Sequence, residues 1–163
     1  SVSLVVTNNA DAGVIQRAKT FGVPAMIIDR DTAASGSRIE ALLKDQQIDY
    51  IVLAGYLKLI PKEVIQAWPE HIINIHPGLL PKFGGKGMYG LNVHRAVIEQ
   101  KEPESGLTIH LVNEVYDEGK TLFEKRVKVQ PNDRPEDLAR RILQHEHQYY
   151  PSVVESYILT HGA

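Results

Sequence analysis

Cysteine is absent from all 163 residues. That removes disulfides, thiolate catalysis and cysteine-bound zinc together. No apolar run approaches the length of a membrane span, and no signal-peptide pattern opens the chain. Neither sign of charge is in excess: 18 Lys and Arg against 20 Asp and Glu leave a formal net charge of −2. Such a balance gives no electrostatic reason to expect a nucleic-acid partner. The absences together predict a cytoplasmic protein that binds neither membrane nor nucleic acid. What is present, 43% hydrophobic and 23% charged residues, is ordinary globular composition. The length predicts one domain with its own core.

Short β-rich runs alternate with amphipathic stretches, the pattern of an α/β sheet. Strands are predicted at Val2–Val6, Ala25–Ile28, Tyr50–Ala54, Ile72–Ile75, Thr108–Val112 and Leu122–Val129. Tyr50–Ala54 is continuously apolar, as in a strand buried on both faces. Helices are predicted at Asp11–Phe21, Ser37–Gln47, Pro61–Trp68, Leu91–Glu99 and Arg134–Tyr150, the last capped by Asp133 with Pro135 just inside. Asp29–Ser35 reads as a polar connection and Lys82–Gly90 as a glycine-rich loop. The fold class expected is α/β, a doubly wound and mostly parallel sheet flanked by helices. In such sheets ligands gather at the carboxyl ends of strands.

One strand end stands out, Asn74-Ile75-His76-Pro77-Gly78-Leu79-Leu80-Pro81. Residues i and i+2 of a strand share a face, so the Asn74 amide and the His76 imidazole can converge. The prolines then force the chain out of the sheet and stiffen its exit. Asp117, in Tyr116-Asp117-Glu118-Gly119, can bring a carboxylate to the same place. Amide, imidazole and carboxylate together point to acyl-type transfer with general acid–base chemistry. The ordinary alternatives are a capped strand end for Asn74 and His76, and a plain turn for Asp117.

Other motifs carry less. Gly85-Lys86-Gly87-Met88-Tyr89-Gly90 matches the spacing of a dinucleotide loop but follows a loop instead of a strand, so a loop beside the site is the better reading. His145 and His147, two apart on a helix, point in different directions and make no metal pair. His71, His94 and His110 read as structural or surface residues. Glu146 lies between two histidines near the end of the last helix, where a solvated charge is the ordinary reading. Asp133, Arg134, Glu136, Asp137, Arg140 and Arg141 read as a mixed-sign exposed face.

At Asn74–Phe83 the chain resembles the folate-dependent formyltransferases, in the branch that acts on glycinamide ribonucleotide. The likeness extends to Thr7–Ala12, Val52–Ile60, Val112–Gly119, and Glu146-His147 with Tyr150-Pro151. It implies formyl transfer from 10-formyltetrahydrofolate to the ribonucleotide amine, a step of purine synthesis, with folate as co-substrate and no metal. By the same resemblance Asn74, His76 and Asp117 take the catalytic positions. Leu57, Lys58, Leu59 and Ile60 line the folate pocket, partly through backbone atoms, with Asn74, Asn113 and Asp117 also meeting the cofactor. Glu146 contacts the ribonucleotide, and a protonated His76 with the Asn74 amide stabilises the oxyanion. The assembly expected is a monomer or homodimer.

Two departures from the family pattern shape the expectation. Family members open with a strand, a small-residue loop and a helix, and this chain begins after that point, without an initiating Met. The unit expected to be missing is about 25 to 30 residues and includes the substrate-phosphate cradle. The Gly84–Leu91 loop also reads as expanded. Rival readings are a formyltetrahydrofolate deformylase, with water as acceptor, and a non-catalytic folate-binding remnant. A methionyl-tRNA formyltransferase would need a further RNA-binding domain and a basic surface.

Overall fold

The computed structural model describes residues 1–162, and within them the chain divides into two compact units. The first, Ser1–Asp49 with Ile60–Ala67, holds β1 (Val5–Thr7), α1 (Gly13–Thr20), β2 (Ala25–Ile27), α2 (Arg30–Ala34), α3 (Gly36–Asp45) and α4 (Lys62–Ala67). Strands β1 and β2 pair in parallel, with Val6 opposite Met26. Its buried hydrophobic residues are Ala18, Ala33, Leu43, Ile60, Val64 and Ile65. The polar connection expected at Asp29–Ser35 is instead the short helix α2. Asp29 caps it by accepting the Thr32 N–H at 2.6 Å, and that bond holds the Asp29 carboxyl below its usual pKa. A short polar helix has no apolar periodicity to betray it; its cap residue was the available signal.

The second unit, Tyr50–Leu59 and the chain from Trp68 onward, carries the remaining elements. These are β3 (Ile51–Leu53), β4 (Ile72–His76), α5 (Leu91–Glu99), β5 (Glu104–Leu111), β6 (Thr121–Lys128) and α6 (Pro135–His161). Its sheet runs β3-β4-β5-β6, parallel between β3 and β4 and antiparallel thereafter. The α/β class expected from the sequence is the class observed, and the antiparallel pairings are a feature that alternation of elements did not reveal. Strand β3 is the edge of this sheet, so Val52 is 45% exposed and the expected burial on both faces does not occur. The core gathers Ile73, Phe83, Val93, Val97, Leu107, Ile109, Leu111, Val127, Leu138 and Ile142 between sheet and helices.

Two expectations for α6 need correction. Its N-cap is Arg134, not Asp133, and Asp137 closes the turn by accepting the Arg134 backbone N–H. Asp133 instead accepts the Gln130 N–H at 2.7 Å and pairs with Arg141. The helix also does not stop before Pro151; it runs 27 residues in all, from Pro135 to His161. Proline costs a helix one hydrogen bond and a clash, about 3 kcal/mol. Val153, Val154 and Tyr157 beyond it pack on the core, and the Tyr157 hydroxyl donates to Glu70 O at 3.0 Å, which offsets that cost. Among the described residues no helix is long and apolar enough to cross a membrane.

Gly106 on β5 lies tightly against β6, opposite Arg126. A Cβ there would collide with the Lys125 carbonyl and lie 2.6 Å from the Leu79 side chain. Gly106→Ala is therefore expected to lower stability by about 2 kcal/mol, the usual scale of overpacking, as a shift of the urea midpoint at unchanged slope. An unchanged midpoint contradicts the close approach.

Candidate active site

Strand pairing assembles the site. Asn74 lies directly opposite His110, and His76 directly opposite Thr108, across the antiparallel ladder of β4 and β5. Opposed residues share a face, so all four polar side chains project from one side of the sheet. The expected convergence of Asn74 with His76 is thus realised through their neighbours on β5. The Thr108 hydroxyl donates to Gly78 O at 2.8 Å and accepts from Leu80 N–H at 3.2 Å, which pins the proline-bounded exit loop to β5.

Asp117 enters from the turn after β5. Its backbone φ is +57°, a left-handed conformation that Asp tolerates better than most residues. A Cβ at Gly119 would collide with the Leu111 carbonyl, so only glycine lets this turn lie against the strand end. The carboxylate stands between two buried imidazoles. Oδ2 is 3.7 Å from His76 Nδ1, and Oδ1 is 3.6 Å from His110 Nε2. Oδ2 also accepts the Gly85 N–H at 2.9 Å, so the glycine-rich loop grips the carboxylate directly.

Hydrogen-bond partners fix the proton positions. His76 Nε2 lies 2.6 Å from Phe83 O, and a carbonyl only accepts, so Nε2 carries a hydrogen. His110 Nδ1 donates likewise to Leu111 O at 2.9 Å, leaving Nε2 to accept from the Asn74 amide at 3.2 Å. Burial pushes both imidazoles below their ordinary pKa; for His76 it outweighs the opposing pull of Asp117. That direction favours the neutral form of His76, and its other ring nitrogen, Nδ1, is turned toward Asp117. The strand that delivers His76 also removes it from water.

His110 is the residue that sequence reasoning set aside and the structure brings in. Its signal was strand parity, since Thr108 and His110 alternate with Leu107, Ile109 and Leu111 as Asn74 and His76 do with their apolar neighbours. The Phe83 carbonyl and Gly85 N–H carry no sequence signal. His94 is buried, at 3% exposure, with Nδ1 unpartnered, and burial lowers its pKa to about 4. Below the unfolded value of 6.5 the unfolded chain binds a proton the native state refuses. Stability is thus full above about pH 6.5 and falls toward pH 4, by at most about 3 kcal/mol from this residue. His76 and His110 add in the same sense, and Glu146, raised by burial, in the opposite one. Urea unfolding is therefore compared between wild type and His94→Gln, whose stability is expected to fall less steeply between pH 6.5 and 4.5. Equal slopes contradict this.

The other expected residues fall as follows. Leu57 and Val115 are 59% and 51% exposed, with Leu59 and Tyr116 also exposed, all large apolar side chains in solvent. Tyr56 feels the Tyr116 hydroxyl electrostatically, so the segment holding Leu57, Lys58 and Leu59 comes near the 113–117 loop. Asn113 Oδ1 accepts the Val115 N–H at 3.0 Å and shapes that loop. Ile60 is buried in the first unit, so its side chain is occupied there. Glu146 is half-buried one helical turn before Tyr150. Among the described residues no group of three or more His, Asp or Glu is placed to hold a metal ion.

Comparison with known proteins places this geometry in context. The family model described as formyl transferase matches residues 1–154. A chloroplastic phosphoribosylglycinamide formyltransferase of Arabidopsis thaliana is 47% identical over 94% of this chain, which spans 54% of that protein's length. The phosphoribosylglycinamide formyltransferase of Haemophilus influenzae is 34% identical over 94% of this chain and 72% of its own. The crystal structure of the phosphoribosylglycinamide formyltransferase from Bacillus halodurans superposes with a TM-score of 0.86 at 33% identity, covering 97% of this chain and 81% of that one.

Proposed function

This chain belongs to the formyl transferase family, and on that premise we propose that it moves the formyl group of 10-formyltetrahydrofolate to the amine of glycinamide ribonucleotide, a step of purine biosynthesis. The observation that carries the proposal is the Asp117 carboxylate held between His76 and His110, with Asn74 hydrogen-bonded to the second imidazole.

The chemistry follows from those groups. The substrate amine attacks the formyl carbon, and the carbonyl electrons move onto its oxygen. Asn74 uses one amide hydrogen on His110, which fixes its orientation and leaves the second for the developing oxyanion; such a donor is worth about 3 kcal/mol. The attacking nitrogen must then lose a proton. Neutral His76 receives it at Nδ1, directly or through water, and Asp117 stabilises the imidazolium that forms. Collapse of the tetrahedral intermediate breaks the bond to the folate nitrogen, which leaves as tetrahydrofolate after taking up the proton that the His76 imidazolium returns, directly or through water. Burial, which keeps His76 neutral at rest, makes it a base in this step instead of a standing cation.

The exposed apolar side chains Leu57, Leu59, Val115 and Tyr116 suit the walls of a pocket for the flat folate ring, with Lys58 and Asn113 contributing backbone or polar contacts. Glu146 is assigned to the ribonucleotide. The transferase is favoured over the deformylase by relatives bearing the transferase name at 47% and 34% identity. Retention of Asn74, His76 and Asp117 argues against a non-catalytic remnant. We read residues 1–163 as one catalytic domain, acting as monomer or homodimer. The cytoplasmic location is proposed beside the chloroplast named for the plant relative.

The test supplies 10-formyltetrahydrofolate with and without glycinamide ribonucleotide and follows the folate product. Turnover that requires the ribonucleotide supports transfer. Equal turnover without it assigns the deformylase, and folate binding without turnover assigns the remnant.

A further inference from the structure

Tyr150 lies outside the proton-handling groups yet grips the backbone that carries one of them. Its hydroxyl shares its single hydrogen between two carbonyls, Leu53 O at 2.8 Å and Ile73 O at 3.0 Å. Ile73 immediately precedes Asn74, and Leu53 is the β3 residue paired with Asn74. Both carbonyls therefore belong to the backbone that frames Asn74. Strand β3 ends at Leu53, and Gly55 follows at φ +69°, so the bridge sits where the two strands part.

On α6, Tyr150 and Glu146 are i+4 and i, neighbours on one helix face. The Glu146 charge is felt at the Tyr150 hydroxyl, which places the two groups together as well as in register. One hydroxyl thus joins the helical turn bearing Glu146 to the strand bearing Asn74 and, two residues on, His76.

We infer that Tyr150 is a positioning residue, whose hydroxyl sets the separation between Glu146 and the Asn74–His76 strand end and so holds the substrate amine against the formyl carbon. The inference rests on the proposed transfer reaction and on Glu146 meeting the ribonucleotide. Packing alone would use only the ring; the hydroxyl is committed to two strands at the site. Misplacement of reacting groups by about 1 Å can cost on the order of 100-fold in rate, so loosening this bridge acts on turnover without touching either substrate.

Tyr150→Phe keeps the ring and deletes the bridge. The variant is expected to fold, to lower kcat/KM for glycinamide ribonucleotide by about 30-fold, and to leave the KM for 10-formyltetrahydrofolate within about twofold. In a Glu146→Gln background the same substitution is expected to cost less than about threefold, because the two act through one placement. 4-Aminophenylalanine at position 150, which keeps a donor at the same reach, is expected to restore most of the loss. A variant that fails to fold, that loses less than threefold, that raises both substrate KM values equally, or that is fully additive with Glu146→Gln makes Tyr150 a structural residue and overturns the inference. Wild-type protein without ribonucleotide-dependent turnover overturns the transfer reading first, and the inference with it.

Discussion

Asp117→Asn is expected to lower ribonucleotide-dependent turnover by about 10³-fold, within the range of a lost general acid–base partner. Asparagine keeps the size of the side chain and accepts the left-handed φ of +57°. The substitution therefore removes charge without forcing the turn to move. Three contacts report on that charge: His76 Nδ1, His110 Nε2 and the Gly85 N–H all face the carboxylate. With the charge gone, the imidazolium that His76 would form in the proposed reaction is buried without a counter-ion, a state that low-dielectric surroundings disfavour strongly. The check is steady-state turnover at saturating substrates, with the urea midpoint measured beside it. A rate within threefold of wild type at normal stability contradicts the role given to Asp117.

His76→Ala is expected to have two separable effects. Turnover should fall by about 10³-fold, because the proton of the attacking amine loses its acceptor. Stability should fall by about 1–3 kcal/mol as well, because the Phe83 carbonyl loses its 2.6 Å donor. Asp117→Asn leaves that bond and the buried imidazole in place, so it is expected to lose less stability than His76→Ala. The pH profile gives a second view. A neutral base held below its ordinary pKa by burial stays active as pH falls past 6.5 and loses activity only below that. An acid limb centred above 6.5 contradicts a neutral resting imidazole.

How much of this was legible in the sequence follows the physics of each signal. Strand β4 and its exit loop could be read from an apolar run interrupted at i and i+2 and stopped by proline. Asp117 could be read as a turn residue, but nothing local placed it 3.7 Å from His76; that depends on Gly119 lying against the Leu111 carbonyl. The pairing of β4 with β5 is non-local, and it brought His110 opposite Asn74 when the chain alone suggested a structural histidine. Burial is likewise a property of the assembled sheet, which is why the downward push on the His76 pKa has no local signal in the chain. The extension of α6 past Pro151 was hidden by a residue whose local cost is real and whose compensation lies in Tyr157 and the core. The resemblance to the formyltransferases supplied roles for Asn74, His76 and Asp117, and the geometry added what those roles rest on.

The account turns on where the formyl group goes. The direct measurement incubates the protein with 10-formyltetrahydrofolate labelled at the formyl carbon and glycinamide ribonucleotide, then separates the products. The expected result is label in the formylated ribonucleotide, stoichiometric with tetrahydrofolate released, and its loss in Asp117→Asn. Label recovered as free formate, or label transfer that persists undiminished in Asp117→Asn, contradicts it.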